Sequence, residues 1–315
     1  MALYGYFGGK SSSVFKEFIN KQIPRDKTIK TYLEPFSGSF ATYLDDDSLN
    51  FDTVIYNDKN RHQVNLYYCC VYPEKFIPYL ESLSKTGGIL FTEETEPLKK
   101  WDFYKSVYQK YTKNDFLDNL DFELGDFERA AIYAFLITSS FSSVYPRGGG
   151  FSGYKKDKDR LKLEVLIKKL KNNTYTKKLQ SITDFYNIDF EELIVKYDSQ
   201  DTYLYLDPPY FRPDENGEDD ARRLFWYGSD SENVFGPASH RRLLELLKKT
   251  KCRWSLSYYY FPLLEELLPR DKYRWIEKEV FRSSAQGGNN SSTKKEMAKG
   301  TELLIMNYDE NFNKI

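Results

Sequence analysis

The sequence predicts an α/β protein: an open sheet of nucleotide-binding type, interrupted by a mainly helical segment. Three observations carry that reading. Thr31-Tyr32-Leu33-Glu34 is a short buried-type run that passes through the small-residue turn Pro35-Phe36-Ser37-Gly38-Ser39 into a helical pattern from Phe40 to Leu44. Strand, glycine turn and helix form the opening unit of such sheets. A second strand over residues 52–56 ends in Asn57-Asp58-Lys59-Asn60, with an acid about 20 residues after the glycine turn, where this topology holds a ribose hydroxyl. The third observation is Tyr203-Leu204-Tyr205-Leu206, an aromatic and aliphatic strand stopped by Asp207-Pro208-Pro209-Tyr210. Neither proline can donate a ladder hydrogen bond.

Composition sets the bounds. A chain of 315 residues is long enough for one large domain or for a domain carrying an insertion. At 40% hydrophobic it can bury a core, and at 30% charged, with mean hydropathy −0.66, it reads as soluble. The net charge of −1 supplies no global attraction for nucleic acid, so such binding requires local patches. Of the three cysteines, Cys69 and Cys70 are adjacent and Cys252 stands alone. Without a CxxC pair they argue for a reducing compartment and against a zinc cluster. His62 and His240 are the only histidines, which argues against a histidine triad or metal site. No long apolar run or signal sequence is present, and the expectation is a cytoplasmic protein.

The elements follow in order. Tyr6-Phe7-Gly8-Gly9-Lys10 precedes three serines that can cap a helix suggested by Val14, Phe15, Phe18 and Ile19. The spacing is not that of a P-loop. Asp58 has an alternative role as cap of a helix from Arg61 to Tyr68. From about residue 71 to 171 strand signals are few. Residues 101–111 and 127–141 read as helices, and the glycine-rich stretch 145–154 as a hairpin or mobile loop with Arg147 at its tip. A basic run follows, with Lys155, Lys156, Lys158, Arg160, Lys162, Lys168, Lys169, Lys171, Lys177 and Lys178. Such a run is usually a solvated helix face. Beside an arginine loop it also suits a surface that tracks phosphates. Strand character resumes at Leu179-Gln180-Ser181-Ile182-Thr183 and ends at Asp184-Phe185. After the 203–206 strand come an acidic stretch at 214–220, the cluster Phe225-Trp226-Tyr227, a helix at 240–247, a strand at 253–257 and a helix at 261–268. Residues 277–281 and 302–307 close the chain as an antiparallel pair around a polar loop.

Asp207-Pro208-Pro209-Tyr210 carries the chemistry. Open α/β sheets bind ligands at the carboxyl ends of their strands. A carboxylate there accepts a hydrogen bond from an amino group, a proline carbonyl accepts another, and a tyrosine ring stacks on a flat heterocycle. The set suits a planar base with an exocyclic amine. The alternative is an ordinary Pro-Pro turn after a strand.

Taken in order, Tyr6–Lys10, Glu34–Ser39, Asn57–Asn60 and Asp207–Tyr210 resemble the motifs of the Dam-like (D12 class) family of DNA adenine-N6 methyltransferases. His240 with Leu243 and Leu244, Arg282-Ser283 and the closing Glu302–Tyr308 fit as well. The resemblance implies a Rossmann-like, seven-stranded S-adenosyl-L-methionine-dependent methyltransferase domain from residues 1–70 and 172–315. It also implies a helical insertion, 71–171, with a hairpin near 141–154, that recognises double-stranded DNA. By position, Tyr6, Lys10, Pro35, Phe36, Gly38, Asp58, Phe185 and Asp207 match cofactor contacts, and Asp207, Pro208 and Tyr210 the catalytic motif. Arg147, Lys155, Lys156 and Lys158 are the expected DNA contacts. The implied reaction places a methyl group on a flipped adenine without a metal, and a restriction endonuclease partner in the same system is one expectation. An RNA adenine methyltransferase and a DNA-binding pseudo-methyltransferase stay open as alternatives, while a protein glutamine methyltransferase is expected to carry Asn in place of Asp207. One position departs from the family, which commonly has a second glycine where this chain has Phe40. The expectation is that this side chain crowds the cofactor.

Overall fold

A computed structural model describes residues 3, 16–83, 92–93, 96–111, 123–140, 162–211, 235–281 and 299–315. Its strands are β1 (Thr31–Glu34), β2 (Thr53–Asn57), β3 (Asp184–Tyr186), β4 (Thr202–Leu206), β5 (Arg253–Tyr258), β6 (Arg274–Phe281) and β7 (Lys299–Met306). They form one seven-stranded sheet in the order β3-β2-β1-β4-β5-β7-β6. The first five neighbours run parallel, and β7 runs antiparallel to both β5 and β6. The result is a mixed α/β sheet with flanking helices, consistent with the Rossmann-like architecture expected.

Side chains alternate across the sheet. Tyr32, Val54, Tyr56, Tyr203, Tyr205, Leu304 and Met306 pack into one buried cluster. Leu33, Ile55, Leu204, Leu206, Trp254, Leu256, Leu303 and Ile305 pack into the other. Both faces are covered, which is why β4 reads as an unbroken apolar run. The second cluster is closed by the helices Phe190–Lys196, Pro237–Leu247 and Pro262–Leu267. The first is closed partly by the helix Arg61–Cys70 and by helices Pro73–Ser82, Pro97–Tyr111, Phe127–Ser139 and Lys162–Leu170 of the 71–171 segment. In Phe127–Ser139 every residue from Ala130 to Ser139 is buried, as expected of a helix at the centre of a bundle.

The third strand is shorter than expected. Leu179 and Gln180 close the helix Asn173–Gln180, which the Asn172 side chain caps by accepting the Tyr175 N–H at 3.1 Å. A short apolar run does not distinguish a strand from a buried helix end. Part of the basic run is committed to packing. Lys169 donates to the Leu3 carbonyl at 3.2 Å, and Lys171 pairs with Glu81 at 2.8 Å. Lys178 lies 3.8 Å from the Tyr43 ring centroid and bonds the Leu49 carbonyl, and burial lowers its pKa to about 8. The three thiols are buried, and burial raises the pKa of each. No helix among the described residues is long and apolar enough to cross a membrane.

Candidate active site

Two loops at the carboxyl edge of the sheet build the site. The first leaves β1. Ser37 donates its hydroxyl to the Glu34 carbonyl at 2.8 Å, and Asn57 donates its side-chain amide to the Pro35 carbonyl at 2.8 Å. Ser37 N–H donates to the Asn57 carbonyl at 2.9 Å, which joins the loop to β2. Gly38 has φ 47°, in the left-handed region that favours glycine. Its N–H donates to Asp58 Oδ2 at 2.9 Å, and its carbonyl accepts from the Tyr56 hydroxyl at 2.8 Å and Gln63 Nε2 at 2.9 Å. The glycine and the acid paired by their spacing are therefore in direct contact. Asp58 does not cap the helix that follows. It accepts the Asn60 N–H at 2.8 Å, and Asn60 caps the helix through the His62 and Gln63 N–H groups.

Phe40 corrects the expectation of crowding. It also has a left-handed backbone, φ 50° and ψ 27°, which explains why glycine suits this position. Its ring turns inward and is 0% exposed. It meets Tyr56 edge-on at 5.2 Å and lies 5.2 Å from Tyr43 and 6.1 Å from Tyr32. A ring held there fills the core, and no part of it reaches the surface of the loop. Phe36 packs against Phe190 and Phe235, centroids 5.4 and 5.3 Å away. Phe185, beside Tyr56 in the β2–β3 register, packs against Tyr56 and Tyr68 and stays half-buried.

The second loop leaves β4. Asp207 is half-buried, Pro208 buried, and the Pro209 carbonyl accepts from the Tyr258 hydroxyl at 3.2 Å. Tyr258 is held in turn by His240 Nδ1. The Tyr210 ring stacks on Tyr258, centroids 5.0 Å apart with 25° between planes, and meets Tyr259 edge-on at 4.7 Å. Its hydroxyl donates to Glu302 of β7.

Acids gather where the loops meet. Glu34 is 2% exposed and accepts the Tyr32 hydroxyl at 2.5 Å. Burial, reinforced by the charge of Asp207, holds its carboxyl pKa well above the usual range. Burial and the charges of Asp207 and Glu302 likewise hold the Tyr210 phenol protonated. His62, buried beside Arg129 and Arg61, has its pKa lowered to about 3 and cannot act as an acid–base group near neutrality.

Thus Gly38 and Asp58 are bonded, Asp207 lies within electrostatic reach of Glu34 and Tyr210, and Pro35 is fixed from β2. Tyr6, Lys10, Arg147, Lys155, Lys156 and Lys158 lie outside the described residues. Sequence reasoning missed Glu34 and Glu302 as site groups. Each is a single carboxylate beside an apolar strand run, a pattern that sheet packing does not call for.

This strand order, with a proline-stopped carboxylate at the end of β4, is that of a mixed α/β protein of Rossmann-like architecture. The family model for D12 class N6 adenine-specific DNA methyltransferases matches residues 6–284, and the chain belongs to that family. No curated protein matches the chain. Family membership supports S-adenosylmethionine-dependent adenine-N6 DNA methyltransferase activity in general.

Proposed function

We propose that the chain methylates N6 of an adenine extruded from duplex DNA, with Asp207, Pro208 and Tyr210 holding the base. The observation that carries this reading is the β4 loop: a carboxylate and an aromatic platform fixed side by side at the sheet's carboxyl edge.

The donor set fits S-adenosylmethionine. Its ribose hydroxyls are donors, and Asp58 presents a half-buried acceptor whose plane is set by two backbone N–H groups. Its ammonium and sulfonium are cationic, and Asp207 lies in an acidic surround. Gly38 keeps the approach open, Pro35 and Phe36 shape the loop, Phe185 offers a ring at the adenine end, and Tyr6 and Lys10 complete the assignment. When bound, the cofactor supplies an electrophilic methyl group.

The chain's own residues do the rest. The adenine amine is a poor nucleophile because its lone pair is delocalised into the ring. The Asp207 carboxylate and a proline carbonyl accept its two hydrogens, which favours a pyramidal nitrogen with the lone pair localised. Tyr258 donates to the Pro209 carbonyl, and the amine is assigned to the carbonyl of Pro208. The Tyr210 ring rests on Tyr258, and in this reading it is the aromatic platform for the base. Positioning and electrostatics supply the acceleration.

The 71–171 segment, with Arg147, Lys155, Lys156 and Lys158, serves DNA in this reading, and residues 1–70 and 172–315 the chemistry. Replacing Lys155, Lys156 and Lys158 with alanine is expected to weaken DNA binding and flatten its salt dependence, because fewer counterions are released. The function is tested with the purified chain, tritiated S-adenosylmethionine and unmethylated duplex DNA, single-stranded DNA or RNA. Label in N6-methyladenine of the duplex is the expected result. Label only in RNA, or in none, contradicts the reading.

A further inference from the structure

Glu302 lies in a strand whose next four residues are Leu303, Leu304, Ile305 and Met306, all buried, and it is itself 0% exposed. Burying a carboxylate is costly unless hydrogen bonds repay it. Here the bonds converge on one oxygen. Ser257 of β5 donates its hydroxyl to Glu302 Oε1 at 2.6 Å, and the Tyr210 hydroxyl donates to the same atom. Ser257 Oγ and the Tyr210 hydroxyl are themselves 3.0 Å apart. The β5–β7 ladder is already secured by the pairs Ser255–Met306 to Tyr258–Leu303. An apolar side chain would serve that pairing as well as a buried acid. What the acid adds is a fixed end for Tyr210. The ring is stacked on Tyr258 and meets Tyr259 edge-on. The hydroxyl bonded to Glu302 of β7 adds a restraint in the plane of the ring.

We infer that Glu302 is a positioning residue for the target base: with Ser257 it clamps the Tyr210 hydroxyl and fixes the plane on which the extruded adenine stacks. The inference rests on the functional reading above. A charge-assisted hydrogen bond is strong and directional, so the clamp orders the platform before the base arrives. Glu302 touches neither substrate nor cofactor in this scheme. Its effect passes through Tyr210 and belongs to the rate of methyl transfer.

The test is a double-mutant cycle in the intact chain: Tyr210→Phe, Glu302→Gln and both together. Single-turnover incorporation of tritiated methyl into duplex DNA is measured beside cofactor binding by calorimetry and DNA binding by gel shift. Tyr210→Phe keeps the ring and loses the tether, and Glu302→Gln keeps the shape and loses the charge. Each is expected to lower the transfer rate about tenfold, with the two affinities unchanged and the double variant no slower than about threefold below either single one. A wild-type rate in Tyr210→Phe overturns the proposal even where Glu302→Gln fails to fold. Losses that multiply, or that appear in melting temperature and not in the transfer rate, also overturn it and leave Glu302 a structural staple. No methyladenine from the unaltered chain overturns the functional reading, and this inference with it.

Discussion

The two loops of the site are held by different means. The β1 loop is fixed largely through the main chain: Pro35, Ser37 and Gly38 all offer backbone groups to β2 and its helix. The β4 loop is fixed largely through side-chain hydroxyls, Tyr210 to Glu302 and Tyr258 to Pro209, with His240 behind. The bonds of the β1 loop are spread over the side chains of Tyr56, Asn57, Asp58 and Gln63, so that losing one leaves the others, whereas the bond from Tyr210 to Glu302 is lost with one hydroxyl. Substitutions of the first loop's bonded groups should therefore appear in stability and cofactor affinity, and those of its core-facing residues in stability alone. Substitutions around the second should appear in the rate of transfer on a protein that still folds.

Asp207→Ala gives the largest effect on the second loop. The loss of one strong acceptor from a preorganised site is expected to cost about 3–4 kcal/mol, roughly 10²–10³ in rate. Circular dichroism and DNA gel shift should stay unchanged beside tritiated methyl transfer. A variant that unfolds would break the contrast, because the β4 loop would then carry stability as well.

Phe40→Gly probes the first loop. Relief of the left-handed backbone is worth about 1–2 kcal/mol, and loss of a fully buried phenyl ring costs about 3–5 kcal/mol. The ring wins, and a net destabilisation of about 2 kcal/mol is expected in urea unfolding. Cofactor affinity by calorimetry should stay near the unaltered value. Tighter binding would return Phe40 to the role of obstruction.

That residue also shows where sequence reading stops. β1, β2 and β4 were legible because each is an apolar run closed by glycine, proline or polar residues. The spacing from the glycine turn singled out Asp58, but not its bond to Gly38. The direction of the Phe40 ring depends on a positive φ, which the sequence signals only when glycine is present. The Tyr210–Ser257–Glu302 clamp joins residues far apart in the chain, and only the β5–β7 pairing brings them together. Leu179 and Gln180 were misread because their apolar pattern is too short to declare a period.

Glu34→Gln gives the smallest effect and one confined to pH. The Glu34 carboxyl pKa is raised well above 4.5 in the folded chain, by burial first, with Asp207 adding to it and Tyr32 opposing it. Below 4.5 the group is protonated in both states and its contribution is fully present. As the pH rises, the unfolded chain ionises first, and stability falls toward the folded pKa. Glutamine keeps an acceptor for Tyr32 and cannot ionise. The variant should lose this part of the decline in melting temperature as the pH rises above 4.5 and be otherwise unchanged. An unaltered pH profile would mean that Glu34 carries its charge in the folded protein.

The central claim is that Asp207 activates an adenine amine in DNA. The most direct measurement is N6-methyladenine in the DNA of cells that lack adenine methylation and express either the intact chain or Asp207→Ala at equal levels. The account predicts modified adenine with the intact chain and none above background with the variant. Equal modification by both would contradict it.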